Sequence, residues 1–564
     1  MPELLLLIGG LLFMIAALVD REAGDQPRIK LAALILACGT AIFSVLVFMM
    51  RHKGMPEAAS LPGAFGAAAG GGSFISLTQD GIAAGFKLVI LIGLALSILL
   101  SCKDEDLHDR PSAEYYALMF FAALGMCVMA AGRDLLTLWI GLETMALATY
   151  ALIALPRGDR KAPEGAMKYF ILGTLSSGVF LYGASLLYGA TGTYQLAGDT
   201  GLAVKLLALF PRDGTVLHGA AAAAHSLAVL GTALMLIALL FKVGAVPFHM
   251  WLPDAYTGAP TAITNFMSVS VKAASFAMLL RILHEGLAAA SSVWLPLLAA
   301  AAALTMVWGN VAAVRQDNVK RMLAYSSIAH AGYVLTGVVA LGATGNFPGP
   351  GMVWLYLLFY TFMNSAAFGI LIWMRGNGLN GESFEDYAGL RERAPVLTYL
   401  ILYVMLALTG IPATAGFIAK WAVFGAAINS HYYGLAAIGL LASAISLFYY
   451  FRLVVQMLVK PAGDRPRPAF SWPVAVVVLI GAAATLDWGI FPERNFALAR
   501  DLVTLGGDEL SGPLGQRPVQ PLPGLPPELT PTILPSAEPS AEPSAERSAE
   551  PPATPPAEPA HPPA

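Results

Sequence analysis

The sequence is short of charge and of cysteine. Only 12% of its 564 residues are Asp, Glu, Lys or Arg, while 57% are hydrophobic; a soluble globular chain carries about 25% charge. The deficit is not local, because apolar runs recur from residue 4 to about residue 492. That excludes an ordinary cytosolic enzyme and a disordered protein. Lys and Arg number 33 against 36 Asp and Glu, a net charge of -3, so no basic surplus exists to neutralise the phosphates of a nucleic acid. The three cysteines, Cys38, Cys102 and Cys127, form no C-x-x-C pair and no disulfide framework, which argues against an iron–sulfur or zinc site. There is no Walker A loop and no G-x-G-x-x-G placed after a strand, hence no sign of nucleotide binding. The N-terminus lacks the basic region of a signal peptide and carries Glu3 instead, so the first span is expected to be kept as an anchor.

What the sequence has is long hydrocarbon runs. A membrane helix needs about 20 mostly apolar residues to cross a core about 30 Å thick. On that measure there are fourteen spans, near 3–20, 29–50, 82–101, 113–131, 134–155, 165–190, 225–252, 260–285, 291–314, 319–341, 351–375, 396–428, 433–459 and 471–491. The runs are continuous, rich in Leu and Ala, and lack a period of two, so they read as helices rather than barrel strands. The fold class is all-α and integral to the membrane. With the connections numbered in order, the odd ones carry 17 Lys and Arg and the even ones 5. The odd loops are therefore expected in the cytoplasm and both termini on the far side. From about residue 508 the character changes. The last 52 residues hold 17 of the 38 prolines, and Ser-Ala-Glu-Pro repeats from Ser536 onwards. Such a tract cannot bury enough apolar area to order itself and reads as a disordered, dispensable tail over 508–564.

Charge inside the spans is the functional signal. An ionisable group at mid-bilayer costs about 2.5–3.5 kcal/mol on insertion scales, so a chain that keeps several there uses them. Glu143 lies nine residues into the span that opens at Asp134, which is ~14 Å deep at 1.5 Å per residue. Lys272 lies twelve residues beyond Pro260, or ~18 Å into its helix. Lys242 ends the run LAVLGTALMLIALLF, and Lys420 is flanked by apolar stretches on both sides. His249 and His330 also fall within spans, and Lys168 lies nearer an end. Three lysines against one glutamate leave charge uncompensated, which argues against a purely structural ion pair. Desolvation disfavours the charged form of a buried amine. A lysine in this setting can exchange its proton at working pH, and a nearby carboxylate would hold that proton in place. His249 and His330 fit packing roles equally well, and Lys168 and Lys320 fit snorkelling to the headgroups. Arg281, His284 and Glu285 are expected at a helix end near water, without a role.

Two spans are interrupted by glycine and proline: FKVGAVPFHMWLPDAYTGAP over 241–260 and LTGIPATAGFIAK over 408–420. Proline inside a helix frees a carbonyl and kinks the axis, and interrupted helices at matching places in two halves point to an ion path. Five spans separate the two breaks, so a five-helix repeat would have to be inverted. The layout divides the chain into 1–112 (three N-terminal helices), 113–290 (first repeat), 291–460 (second repeat), 461–507 (last span and flank) and 508–564 (tail).

The stretch FKVGAVPFHMWLPDAYTGAPTAITNFMSVSVKAASFAMLLRI at 241–282, with NVKRMLAYSSIAHAGYVLTGVVA at 318–340 and LTGIPATAGFIAKWAVFGAAI at 408–428, resembles the proton-translocating antiporter-like membrane subunits. These occur in respiratory complex I, in multisubunit cation/proton antiporters and in membrane-bound hydrogenases. The resemblance covers about residues 1–495 and is greatest to the subunit N branch of the NADH–quinone oxidoreductases. It implies a fourteen-helix core of two inverted five-helix repeats, with discontinuous seventh and twelfth helices, and proton translocation driven by quinone reduction in neighbouring subunits. By position, Glu143 matches the fifth-helix glutamate, Lys242 the seventh-helix lysine, Lys272 the central eighth-helix lysine and Lys420 the twelfth-helix terminal group. A lysine at that last position fits subunit N or L. A proline-rich tail in place of a long lateral helix favours N.

A proton would enter near Glu143 and Lys242, pass through His249 or water to Lys272, and go on towards Lys420. The resemblance also implies a multi-pass chain of the bacterial inner (plasma) membrane, a non-redox subunit of a translocase. Its partners would be the other membrane and peripheral subunits of complex I and membrane lipid, with no nucleic acid. NAD, FMN, iron–sulfur clusters and quinone would belong to partner subunits, with no cofactor in this chain. A subunit of a cation/proton antiporter or membrane-bound hydrogenase is the alternative reading, and a scaffold whose charges merely pair is a third.

Overall fold

A computed structural model describes residues 2–19, 27–52, 77–104, 107, 112–156, 160–211, 216–340 and 347–504. The described helices all lie within residues 1–517, and the expected tail over 508–564 falls outside the described residues. The helices are α1 (Pro2–Val19), α2 (Pro27–His52), α3 (Gly81–Ser101), α4 (Ser112–Ala131), α5 (Leu135–Ala154), α6 (Lys161–Thr191), α7 (Leu202–Leu209), α8 (Ala220–Val243), α9 (Trp251–Gly258), α10 (Thr261–Phe266), α11 (Lys272–Leu280), α12 (Ser291–Val314), α13 (Val319–Val339), α14 (Gly349–Met374), α15 (Leu390–Arg393), α16 (Pro395–Thr409), α17 (Ala415–Asn429), α18 (Tyr433–Val459), α19 (Trp472–Ile490) and α20 (Glu493–Thr504). Twelve helices among the described residues are long and apolar enough to cross a membrane, and the span Thr261–Gly286 counts as one of them. The shorter apolar α1 and the broken pair α16 and α17 bring the crossings to the fourteen expected.

Helix ends follow the apolar runs closely except at the interruptions. The seventh span, expected to run on to residue 252, stops as a helix at Val243 and resumes as α9 at Trp251. Gly244 ends it in the left-handed conformation (φ 76°), with its own N–H bonded to Phe241 O and the next N–H to Leu240 O. Gly410 (φ 85°) ends α16 with the same pair of bonds, to Ala407 O and Leu406 O. Both breaks are thus glycine caps of the Schellman type, with Pro247 and Pro412 just beyond them. The short α7 and the amphipathic α20 were not expected from the apolar runs. α7 has 8 residues, about 12 Å, too short to register as a span. α20 mixes charge with leucine and buries Ala499 and Leu502 against α3 and α14.

Water gives no hydrophobic drive between helices in lipid, so close approach through small residues does the packing. α4 meets α5 at Gly125 and Gly141, where a Cβ on Gly125 would come 2.5 Å from the Gly141 carbonyl oxygen. α12 meets α13 in the same way at Gly309, where a Cβ would come 2.5 Å from the Ala329 amide. The fourth and fifth crossings and the ninth and tenth are therefore fused by the same device, and the seventh and twelfth crossings are the broken ones. The span Thr261–Gly286 is buried from residue 261 to residue 283 and runs through the middle, packed on α3, α4 and α14. It is not a regular helix: π-type turns at Met267–Val271 and Arg281–Gly286 flank α11. Exposed leucines, isoleucines and aromatics lie on the outward faces of α1, α6, α12, α18 and α19, as a hydrocarbon surround requires.

Candidate functional site

Lys242, Lys272 and Lys420 are all buried, none more than 6% exposed. Lys242 occupies the last turn of α8, beside its glycine cap. Lys272 is the first residue after a π-type turn, a distortion that recurs at functional sites. Lys420 lies in α17 and reaches back to the end of the other half-helix, donating to Thr409 O at 2.6 Å and to Ser443 Oγ at 2.7 Å. Thr409 O is among the last carbonyls of α16, where the helix dipole places partial negative charge. The break that frees the carbonyl is what gives Lys420 an acceptor. Lys272 Nζ donates to the Ser327 carbonyl at 2.5 Å and also to the Ser327 hydroxyl. No carboxylate pairs with Lys272 or Lys420 among the described residues. Each lysine also lies over a tyrosine ring: Lys242 over Tyr169 at 5.8 Å, Lys272 over Tyr360 at 5.5 Å and Lys420 over Tyr333 at 5.0 Å. A ring face stabilises an ammonium without fixing it by an opposite charge.

His330 of α13 ties the second and third of these units together. Its ring lies 4.9 Å from Tyr360 and 5.7 Å from Tyr333, and its Nδ1 is 2.7 Å from the Tyr356 hydroxyl. The first and second units meet through α9. Trp251 stacks on Tyr169 at 4.1 Å, and the Tyr256 hydroxyl lies beside Ser327. The result is a row of buried side chains that leads from Lys242 past Lys272 to Lys420.

Other expected residues stand differently. Glu143 of α5 acts electrostatically on Lys242 without a direct ion pair among the described residues. Glu143 Oε1 and Lys242 Nζ are both buried without a protein hydrogen-bond partner there. His249 falls in the turn between α8 and α9, half-buried, with its ring 6.2 Å from Trp308 of α12. Lys168 is 44% exposed and pairs with Glu164 at 2.6 Å and Asp254 at 2.8 Å.

Lys320 does not snorkel. It is buried, donates to Ala259 O at 2.7 Å and lies 3.4 Å from Glu382. Arg281 is not near water either: it is fully buried and bonded to Asp80 at 2.7 Å, Glu285 at 2.6 Å and Ala130 O at 2.6 Å. The tyrosines, Ser327 and Asp254 were missed by the sequence reading, because hydroxyls in spans and acids near span ends are ordinary. No group of three His, Cys, Asp or Glu side chains is placed to hold a metal ion among the described residues.

Residues 132–446 match the family model described as NADH:quinone oxidoreductase/Mrp antiporter, transmembrane. The chain is 39% identical to NADH-quinone oxidoreductase subunit N 2 of Rhizobium meliloti (strain 1021) over 501 residues, 88% of this chain and 96% of that one. It is 39% identical to NADH-quinone oxidoreductase subunit N of Trichlorobacter lovleyi over 495 residues, 85% and 96% of the two chains. A chain of the respiratory complex I of Thermus thermophilus superposes with a TM-score of 0.69 at 32% identity, covering 89% of this chain and all of that one. A chain of an archaeal membrane-bound sulfane sulfur reductase gives 0.75 at 28% identity, covering 90% and 96%. The Mrp complex of a Dietzia species shares the fold, with a TM-score of 0.72 at 20% identity over 90% of this chain and 97% of that one. The chain belongs to the NADH:quinone oxidoreductase/Mrp antiporter transmembrane family, and within it to subunit N of NADH-quinone oxidoreductase.

Proposed function

We propose that this chain carries protons along Glu143, Lys242, Lys272, His330 and Lys420 as one channel of a respiratory NADH–quinone oxidoreductase. The observation that carries the reading is a row of three buried lysines, each over a tyrosine ring, of which Lys272 and Lys420 bond neutral oxygens and none pairs with a carboxylate among the described residues. An amine held that way can lose and regain a proton without breaking an ion pair. Glu143 supplies an acidic group near the entry, and its orphaned oxygen and the orphaned Lys242 amine call for a mobile partner such as water. His330 passes the proton between the central and terminal lysines, since imidazole both donates and accepts. Lys168 is a surface ion-pair residue outside the row, and His249 has no step.

The driving force comes from quinone reduction in partner subunits, which hold NAD, FMN, iron–sulfur clusters and quinone; this chain moves protons and does no redox chemistry. Its site is the bacterial inner membrane, with the odd loops in the cytoplasm and lipid around the perimeter. The test is Lys242→Ala in the assembled complex, with proton pumping and NADH–quinone turnover measured together. Pumping is expected to collapse. Full coupled activity in the variant refutes the route.

A further inference from the structure

We propose that Asp254 is a positioning residue of this path: it clamps α9 between α6 and α13 and so keeps the lysine units at either side of α9 in register. The proposal rests on the proton route given above. α9 has 8 residues, about two turns, and a helix that short does not hold itself. It nevertheless carries both bridging aromatics, Trp251 on the Lys242 side and Tyr256 on the Lys272 side. Its backbone runs against α6 through two glycines. A Cβ on Gly165 would come 2.7 Å from Asp254 O, and one on Gly258 would come 3.0 Å from the Lys161 carbonyl carbon.

Asp254 gives one oxygen to each neighbouring helix. Oδ2 accepts from Lys168 of α6 at 2.8 Å, and Oδ1 accepts from Arg321 of α13 at 2.8 Å. Glu164 is the other charge in the group, paired with the same Lys168. Beyond α9 the corner is held from two more sides. Lys320 of α13 bonds the Ala259 carbonyl, and Asp104 accepts from the Ala262 amide at 2.8 Å at the start of α10. Arg321 and Ser327 sit on one helix six residues apart, ~9 Å along the axis. Through Asp254 the position of α9 is therefore fixed against the helix that holds the central lysine. No chemistry at the reacting proton is needed for this role, and Asp254 touches no lysine of the row.

The test uses the assembled complex with three variants, Asp254→Ala, Asp254→Glu and the double variant Lys168→Ala/Arg321→Ala. The last removes only partly exposed partners and keeps the proposal open to refutation if Asp254→Ala fails to assemble. Amide exchange over 251–258 is expected to quicken about tenfold in Asp254→Ala and in the double variant, as for a locally released element. Pumping should fall and its pH profile move, and Asp254→Glu should restore both. Wild-type exchange over 251–258 overturns the clamp. Faster exchange with unchanged pumping and pH profile overturns the positioning role. Failure of the route itself is separately visible, because Lys242→Ala would then pump normally while the exchange at α9 still reports on the clamp.

Discussion

Each lysine of the row is packed as a unit with a tyrosine face, and a desolvated cation–π contact is worth about 2 kcal/mol. Replacing Tyr360 by leucine removes the face under Lys272, which lies 5.5 Å from it. That is expected to cost about 2 kcal/mol, or roughly thirtyfold in the balance that holds the ammonium, seen as a fall in proton pumping at unchanged subunit content. Tyr360→Phe keeps the face and should pump nearly normally; equal pumping by both variants would contradict the pairing. Arg281 makes a different demand. It satisfies Asp80, Glu285 and a backbone carbonyl in a fully buried place. Arg281→Ala strands two partly buried acids and should cost about 3 kcal/mol, so the subunit should be scarce in membranes by immunoblot.

The lysines of the row could be read from sequence because a charge inside an apolar run is costly and therefore conspicuous. Arg281 and Lys320 were misread because they stand near span ends, where charge is cheap. Only tertiary packing turns them inward. Asp254 was passed over for the same reason, since its meaning lies in which two helices flank it.

At the scale of elements, the break at Gly410 explains why the terminal lysine can be served by backbone. Gly410 holds a left-handed turn, and a Cβ there would come 3.0 Å from Lys420 Cδ and 3.1 Å from Nζ. Gly410→Ala should cost about 1–2 kcal/mol in backbone strain alone and displace the amine from its carbonyls. A drop in thermal stability together with lost pumping would show it. Gly434→Ala, where a Cβ meets nothing within 4 Å, is the neutral control. Glycine and proline made the existence of both interruptions legible. The first break falls inside the stretch 241–260 that was expected to hold it, but the end of the seventh span differs. The helix stops at Gly244 rather than near residue 252, since the capping glycine, not the apolar content, decides where a helix ends. The matching Gly125/Gly141 and Gly309/Ala329 crossings were also hidden, because a glycine in a span does not say which helix it will meet.

At the scale of the molecule, the count of crossings was legible from hydropathy alone, whereas α7 and α20 were not, being too short or too mixed to stand out. The charge bias of the loops gives a measurable consequence. Exposed Glu385 lies in an odd connection and exposed Asp199 in an even one. Single cysteines placed there should label from opposite faces of sealed vesicles, with position 385 on the cytoplasmic face. Labelling of both from one side would break the fourteen-crossing topology.

α13 joins the edge of the bundle to its centre. It carries Lys320 and Arg321 at one end and Ser327 and His330 further in, ten residues from Lys320 to His330, or ~15 Å of stiff rod. Arg321 is still reachable from outside. A ligand wedged beside that guanidinium, too large to enter the bilayer, would tilt the rod and stall conduction from a distance, so an inhibitor of this pump needs no access to its hydrophobic interior.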